Sequence, residues 1–448
     1  MSEMKMTKEQ LIEKARKPAD DAMKMHPFYK GKIEVVPKCV IRDVKDFAVW
    51  YTPGVAEPSM DIYRNPEKVF EHTNKANMVG IVSDGTRVLG LGDIGPMGAL
   101  PVMEGKALLF KYLGGVDAFP ICLDTKDPDE IIRTVKIISP VFGGINLEDI
   151  ESPKCFYVLE KLRTEAPIPV WHDDQQGTAA VTLAGLINAL KIVNKRLNEA
   201  KITMIGIGAA NVCIVRMLIK AGADPKKIIV VDSKGILNRK RDDIKPTNKE
   251  KLEFCQVTNG DSRDGGAAEA MKGQDVVVAL SKPGPDTIDK AWVSSMADNA
   301  IVFVCANPIP EMWPWDAKEA GARIVATGRS DFPNQVNNSV GFPAIFRGTL
   351  DVMARTITDE MCIAAAYELA RCAEDKGIHE DYLLPTMDEW EIFPREAVAV
   401  AKKAIEQGVA RLRIDEKELF SMAEAKIRRA RDEVGLLMEK GIIQTYRE

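Results

Sequence analysis

Apolar and polar positions alternate along this chain in blocks that predict short strands separated by helices. Residues 7–25 read as a helix. Two β-type runs, Met78-Val79-Gly80-Ile81-Val82 and Arg87-Val88-Leu89-Gly90-Leu91, flank the turn signal Ser83-Asp84-Gly85. A helix is predicted over Gly105–Leu113, with Lys106 near its start. Then come a strand over Phe119–Leu123, a helix over Asp129–Ile138 and a strand over Val141–Ile145, leading to Glu148-Asp149. Thr178–Val193 is a strongly apolar helix.

After residue 200 the pattern becomes more regular. A buried strand over Lys201–Gly206 is followed by a turn over Gly206–Asn211, a helix over Val212–Ala221 and a strand over Ile228–Asp232. Further strands are expected at Asp275–Leu280, Ala300–Cys305 and Arg323–Ala326. Strands alternating with helices predict an α/β fold with a doubly wound parallel sheet. From about Thr349 the chain is mostly helical, and the charged helix from Asp415 to about Lys440 is expected on the outside or at a subunit interface.

Composition narrows the function classes. At 448 residues the chain is expected to form two or three domains. It is 46% hydrophobic and 28% charged with net charge −5, a soluble globular balance that offers no basic patch for nucleic acid. No apolar run is long enough for a membrane span, and Met1–Lys17 lacks a signal-peptide core. The eight cysteines are scattered without a CxxC, which points to a reducing cytoplasm. The four histidines lack metal-ligand spacing, so any metal would be held mainly by oxygen.

Two motifs carry chemistry. Glu148-Asp149 and Asp173-Asp174 are acidic pairs, the second flanked by apolar sequence on both sides. Carboxylates at the mouth of buried structure are costly unless paired or metal-bound, and converging oxygens suit Mg²⁺ or Mn²⁺. Capping of the helix that follows is the alternative use of Asp173 or Asp174. The second motif, Gly206-x-Gly208-x-x-Asn211, lies between a strand and a helix, with Asp232 ending the next strand. That context favours dinucleotide binding at Gly206, Gly208, Ala209, Ala210 and Asn211. Asn211 stands where a third glycine is usual. Asp232 would accept from ribose hydroxyls, favouring NAD, whereas Ser233-Lys234 and Arg239-Lys240-Arg241 could take a 2′-phosphate, so NAD and NADP both stay open.

From Tyr51 to Gly348 the chain resembles malic enzymes of the compact bacterial and archaeal form. The resemblance rests on Tyr51-Thr52-Pro53-Gly54-Val55-Ala56, on Ser83-Asp84-Gly85-Thr86-Arg87-Val88-Leu89-Gly90-Leu91-Gly92-Asp93, and on Gly105-Lys106. It extends to Glu148-Asp149, Asp173-Asp174-Gln175-Gln176-Gly177-Thr178 and Asn337-Asn338. It implies oxidation of L-malate at C2 by NAD or NADP, loss of CO₂, and protonation of enolpyruvate to pyruvate. By resemblance Lys106 is the base and Tyr51 the acid. Glu148, Asp149 and Asp174 hold the divalent metal, and Asp173 hydrogen-bonds Lys106. Arg87, Asn307 and Asn338 meet the substrate, Asn307 also lying where the nicotinamide is expected. A lysine beside a metal in a dry cleft is expected to have a lowered pKa. Without the resemblance, Tyr51 would read as an aromatic packed beside Trp50, Lys106 as a surface lysine and the asparagines as turn residues.

The implied layout is a Rossmann-type domain inserted into an α/β substrate domain with helical N- and C-terminal segments. Residues 1–172 form the N-terminal substrate part, 173–337 the dinucleotide part, and 338–448 the return and the C-terminal helices. A homodimer is expected, and a crossing N-terminal segment would let Tyr51 or Lys106 serve the neighbouring site. The alternatives are a lyase on the same scaffold, decarboxylating oxaloacetate or converting malate to lactate, and a silent metabolite-binding protein. The intact Tyr51, Lys106 and four acids argue against silence.

Overall fold

The computed structural model describes residues 8–329 and 331–446. Its frame is two parallel sheets. In the first, β1 (Met78–Ser83), β2 (Asp117–Cys122), β3 (Gly144–Leu147) and β4 (Val170–His172) are ordered β2-β1-β3-β4, every pairing parallel. Helices Gly95–Gly114, Pro128–Ile138 and Lys154–Glu165 make the crossovers. In the second, β5 (Ile202–Ile205), β6 (Ile228–Asp232), β7 (Gly235–Ile236), β8 (Val276–Ala279), β9 (Ile301–Val304) and β10 (Ile324–Thr327) are ordered β10-β9-β8-β5-β6-β7. Only β7 runs antiparallel, to β6. The order reverses between β5 and β8, which makes a crevice at their carboxyl ends. β5, β6, β8, β9 and β10 are buried along their whole length, as near-continuous Val/Ile runs require when helices cover both faces.

Two expectations are corrected, and one strand is new. Arg87–Leu91 is not a strand. Val88 makes an isolated bridge to Gly92, and Leu89 has φ 47°. β-type composition there serves a loop lying over the carboxyl ends of the first sheet. The helix carrying Lys106 begins at Gly95, not at Gly105, so Lys106 sits in its middle. Gly98, Pro101 and Gly105 are poor helix formers, but Ala99, Met103, Ala107 and Phe110 form one buried stripe that overrides propensity. β4 escaped notice because it has only three residues. The N-terminal helix runs Lys8–Tyr29, with Thr7 outside the described residues.

Helices Phe342–Asp351, Asp359–Lys376, Ile392–Glu406 and Glu416–Glu439 complete the chain. The last packs on Gly95–Gly114 and Ile392–Glu406 through Leu419, Ala423, Ile427 and Ala430, a single helical face. No helix among the described residues is long and apolar enough to cross a membrane.

Candidate active site

Parallel pairing of β3 and β4 puts Leu147 opposite His172. The residues that follow each strand end, Glu148-Asp149 and Asp173-Asp174, are therefore side by side. Asp173 and Asp174 open one π-helical turn, Asp173–Gly177, that runs into helix Thr178–Ile192. Neither aspartate caps that turn or the helix. Instead Asp174 Oδ2 accepts from the Asp149 backbone N–H at 2.8 Å. Carboxylate oxygens of Glu148, Asp149 and Asp174 lie within 4.8 Å of one another. Asp149 holds φ 54°, a left-handed backbone that aspartate adopts more readily than most non-glycine residues. Its Oδ2 is buried without a hydrogen-bond partner.

Burial, then the neighbouring Asp174 charge, pushes the Asp149 carboxyl up to about 8. Burial likewise raises Glu148, Asp173 and Asp174, and their shared negative charge adds to it. The His172 imidazole is held down to about 4 by burial and is neutral, so it does not supply the missing positive charge. An all-oxygen, charge-deficient cluster of this kind fits a hard divalent cation such as Mg²⁺ or Mn²⁺.

Lys106 Nζ reaches the same place from the middle of its helix. It pairs with Asp173 Oδ2 and, at 3.0 Å, with Glu148 Oε1, and lies 4.3 Å from the Phe342 ring centroid. Asn338 Nδ2 donates to Asp173 Oδ2 at 2.6 Å. Gly177 is required beside this pair, because a Cβ there would stand 1.9 Å from Asp173 Oδ1. A lowered Lys106 pKa is the expectation beside a bound metal; the chain's own groups act the other way. Burial alone would lower it, but the Asp173 and Glu148 carboxylates more than offset that, and the ammonium is held above its ordinary range.

The second sheet supplies the crevice. Gly206 has φ 103°, and a Cβ on it would meet Leu280 O at 2.6 Å. At Gly208 a Cβ would face open space, leaving the start of helix Ala209–Lys220 approachable, with Ala209 and Ala210 in its first turn. This open cradle fits a pyrophosphate on the helix N-terminus. Asn211 replaces the third glycine constructively: its buried Nδ2 donates to Ile205 O at 2.8 Å and Gly206 O at 3.1 Å. Asp232 ends β6 as expected, but its carboxylate is already engaged. It accepts from Lys234 N–H at 2.9 Å, Arg241 at 3.2 Å and Lys251 at 2.7 Å. Burial would raise its pKa, yet these bonds hold it below the usual carboxylate range.

The malic enzyme N-terminal domain profile matches residues 30–163, and the malic enzyme NAD binding domain profile matches residues 175–405. The chain belongs to the malic enzyme family. It is 48% identical over 400 residues to the bifunctional malic/malolactic enzyme of Bacillus subtilis strain 168, spanning 89% of this chain and 96% of the relative. With the NAD-dependent malic enzyme of Geobacillus stearothermophilus it shares 48% identity over 381 residues, 85% of this chain and 78% of the relative. The crystal structure of Entamoeba histolytica malic enzyme superposes with TM-score 0.96 at 49% identity, covering 99% of this chain and 93% of that one. Relatives described as NAD-dependent and as NADP-dependent malic enzymes both align with it.

In this malic enzyme chain the structure also shows what sequence reasoning missed. Asn146, one side-chain period before Glu148, donates to Glu148 Oε2 at 2.8 Å. Asp84 accepts from Thr86 and pairs with Lys154 at 2.6 Å, while Arg87 N–H donates to Asp149 O at 3.0 Å. These bonds tie the loop after β1 to the acidic pair after β3. The polar run Ser83-Asp84-Gly85-Thr86 between apolar stretches was the available signal. Arg87 itself is exposed, and its charge favours ionised Asp174. Asn307, after β9, is also exposed. Tyr51 is not packed: its side chain is 71% exposed, and among the described residues its hydroxyl makes no hydrogen bond. Lys251 had no sequence signal at all.

Proposed function

We propose that this chain oxidises L-malate at C2 with NAD or NADP as hydride acceptor and releases CO₂ to leave pyruvate. The observation that carries this is the meeting of Lys106, Asp173 and the Glu148–Asp149–Asp174 cluster at the carboxyl ends of one sheet, alongside a second sheet with a dinucleotide crevice. Lys106 takes the C2 hydroxyl proton, and a nicotinamide bound in the crevice would supply the hydride acceptor. Asp173 and Asn338 hold the amine in line. A divalent cation on Glu148, Asp149 and Asp174 would polarise the C2 oxygen as a Lewis acid and offset the carboxylate field that keeps a proton on Lys106. Arg87 takes a malate carboxylate. Asn338, whose amide nitrogen is committed to Asp173, offers its oxygen to the substrate, and Asn307 faces substrate and nicotinamide.

Tyr51 protonates C3, and we place it in the partner's site of a homodimer. The segment from Val35 to Tyr63 leaves Val35, Val40, Val44, Val49, Trp50 and Tyr51 exposed, and helices 44–72 bury none of their side chains within the chain. An apolar surface of that extent calls for a protein partner. Mixing Tyr51→Phe and Lys106→Ala proteins then restores about a quarter of wild-type activity through heterodimers carrying one intact site. No restoration would put Tyr51 and Lys106 of one chain in the same site.

The division at 1–172, 173–337 and 338–448 is supported by the strands of the two sheets, which run from 78 to 172 and from 202 to 327. All eight cysteines are free thiols, which supports a reducing cytoplasm. The name of the Bacillus subtilis relative favours one second reading, conversion of malate to lactate. Absorbance at the reduced-nicotinamide band, with L-malate and Mn²⁺ and each cofactor, tests both. Metal-dependent reduction with matching pyruvate is expected. Lactate without released reduced cofactor would establish the second reading, and no product with either cofactor would retire both.

A further inference from the structure

Glu311 lies four residues beyond Asn307, fully buried, and no step of the proposed reaction uses it. Both carboxylate oxygens are engaged. Oε1 accepts from the Ser281 backbone N–H at 2.7 Å and from its hydroxyl at 3.1 Å, and Oε2 accepts from the Ala306 N–H at 3.0 Å. Its backbone carbonyl takes the Ile288 N–H at 3.2 Å. A buried carboxylate is costly unless donors surround it, so a position that keeps one needs a reason.

The reason lies in what the two oxygens join. Ser281 follows β8 and Ala306 follows β9, neighbouring strands whose carboxyl ends floor the crevice. The β8 end touches the dinucleotide turn, since Leu280 O is the atom a Cβ on Gly206 would strike. The β9 end leads straight to Asn307, which is wedged between two glycines. A Cβ on Gly90 would stand 2.2 Å from Asn307 O, and one on Gly328 would stand 2.9 Å from Asn307 Nδ2. Gly90 belongs to the loop whose Arg87 N–H holds Asp149. One buried side chain therefore pins together the loop under the dinucleotide turn and the loop that meets the acid cluster's own loop.

We propose that Glu311 is a positioning residue: it fixes the spacing of residues 280–282 and 306–308, and so the place of the nicotinamide against the substrate carbon. The proposal rests on the dinucleotide reading of the crevice. Glu311→Gln keeps the shape but turns one acceptor into a donor, so Ser281 or Ala306 loses its partner and the pin opens at one end.

The test compares wild type and Glu311→Gln for binding of reduced cofactor, by nicotinamide fluorescence, and of ADP-ribose and its 2′-phosphate, which lack the nicotinamide. A ten- to hundredfold loss of kcat is expected, the order seen when reacting groups are misplaced by about 1 Å. Reduced-cofactor affinity falls about tenfold, the size of one charge-assisted bond. ADP-ribose affinity and the Mn²⁺ titration midpoint stay at wild-type values. Equal weakening of reduced cofactor and ADP-ribose would make Glu311 a general structural residue and overturn the proposal, as would unchanged kcat. If Glu311→Gln does not fold, Ser281→Ala removes only the hydroxyl bond and carries the same comparison, with about a twofold effect on reduced cofactor expected and none overturning the proposal. Wild type that binds neither reduced cofactor would instead remove the dinucleotide reading on which the proposal stands.

Discussion

Two carboxylate sites end the two sheets, and the protein treats them in opposite ways. Asp232, the last residue of β6, is matched by Arg241, Lys251 and a backbone N–H, and its pKa is lowered. Glu148, Asp149, Asp173 and Asp174, after β3 and β4, share one ammonium, and their pKa values are raised. The first site is electrostatically complete within the chain. The second carries more negative than positive charge, the condition under which a cation from outside would be held. Burial acts the same way at both, so the number of neighbouring positive groups decides the outcome.

The comparison can be broken most severely at Lys106. Lys106→Ala is expected to reduce kcat by about 10³-fold or more, the upper part of the range for general acid–base groups. Circular dichroism should show the fold retained, and near-normal turnover would remove Lys106 as the base. Asp174→Asn comes next. Activity and Mn²⁺ affinity fall together, by about 10²-fold, while the metal-free protein melts at a higher temperature because one like charge is gone from the cluster. An unchanged metal titration would count against Asp174 as a ligand.

At the matched site, Lys251→Met removes one of the two side-chain cations that pair with Asp232. The ratio of kcat/KM for NADP to that for NAD should drop about tenfold, the worth of one charge-assisted bond. A constant ratio would mean that Lys251 serves only Asp232.

The smallest effect is on stability and pH. Asp149 keeps its proton up to about pH 8 when folded, whereas an unfolded aspartate loses it near 3.9. Between those values the folded state binds the extra proton, so metal-free stability falls as pH rises toward 8, by at most about 1.4 kcal/mol per pH unit. His172, held down to about 4, acts oppositely: unfolded histidine binds protons below about 6.5, and stability falls as pH drops through that window. The two slopes cancel between about pH 4 and 6.5, so melting curves with chelator should stay level from about pH 5 to 6.5 and fall from there to about pH 8. Mn²⁺ should flatten the alkaline side, and an alkaline side unchanged by Mn²⁺ would place the cation elsewhere.

Much of the fold was legible in the sequence because burial on both faces leaves a plain signature. The runs at Ile202–Ile205, Ile228–Asp232 and Ile301–Val304 are apolar throughout and bounded by turn residues. Errors came where local preference and packing disagree. Gly98, Pro101 and Gly105 disguised the first half of the Lys106 helix, and β-type residues at 87–91 disguised a loop. The acidic pairs and the glycine turn were also visible, since charge inside apolar sequence and a strand–turn–helix context need no coordinates to be noticed.

The sequence by itself determined which chemical groups exist and in which local elements they stand: two acidic pairs at strand ends, a glycine turn between a strand and a helix, and a lysine on a helix. Only the tertiary structure decided their charge states and partners. The β3–β4 register makes two pairs separated along the chain into one cluster. The carboxylates of that cluster by themselves raise the Lys106 pKa. Folding brings Lys251 to Asp232 across 19 positions and Glu311 to Ser281 across 30. The physical reason is that electrostatic energy depends on distance and burial, which sequence spacing does not encode, whereas hydrophobic periodicity is written directly into the order of residues.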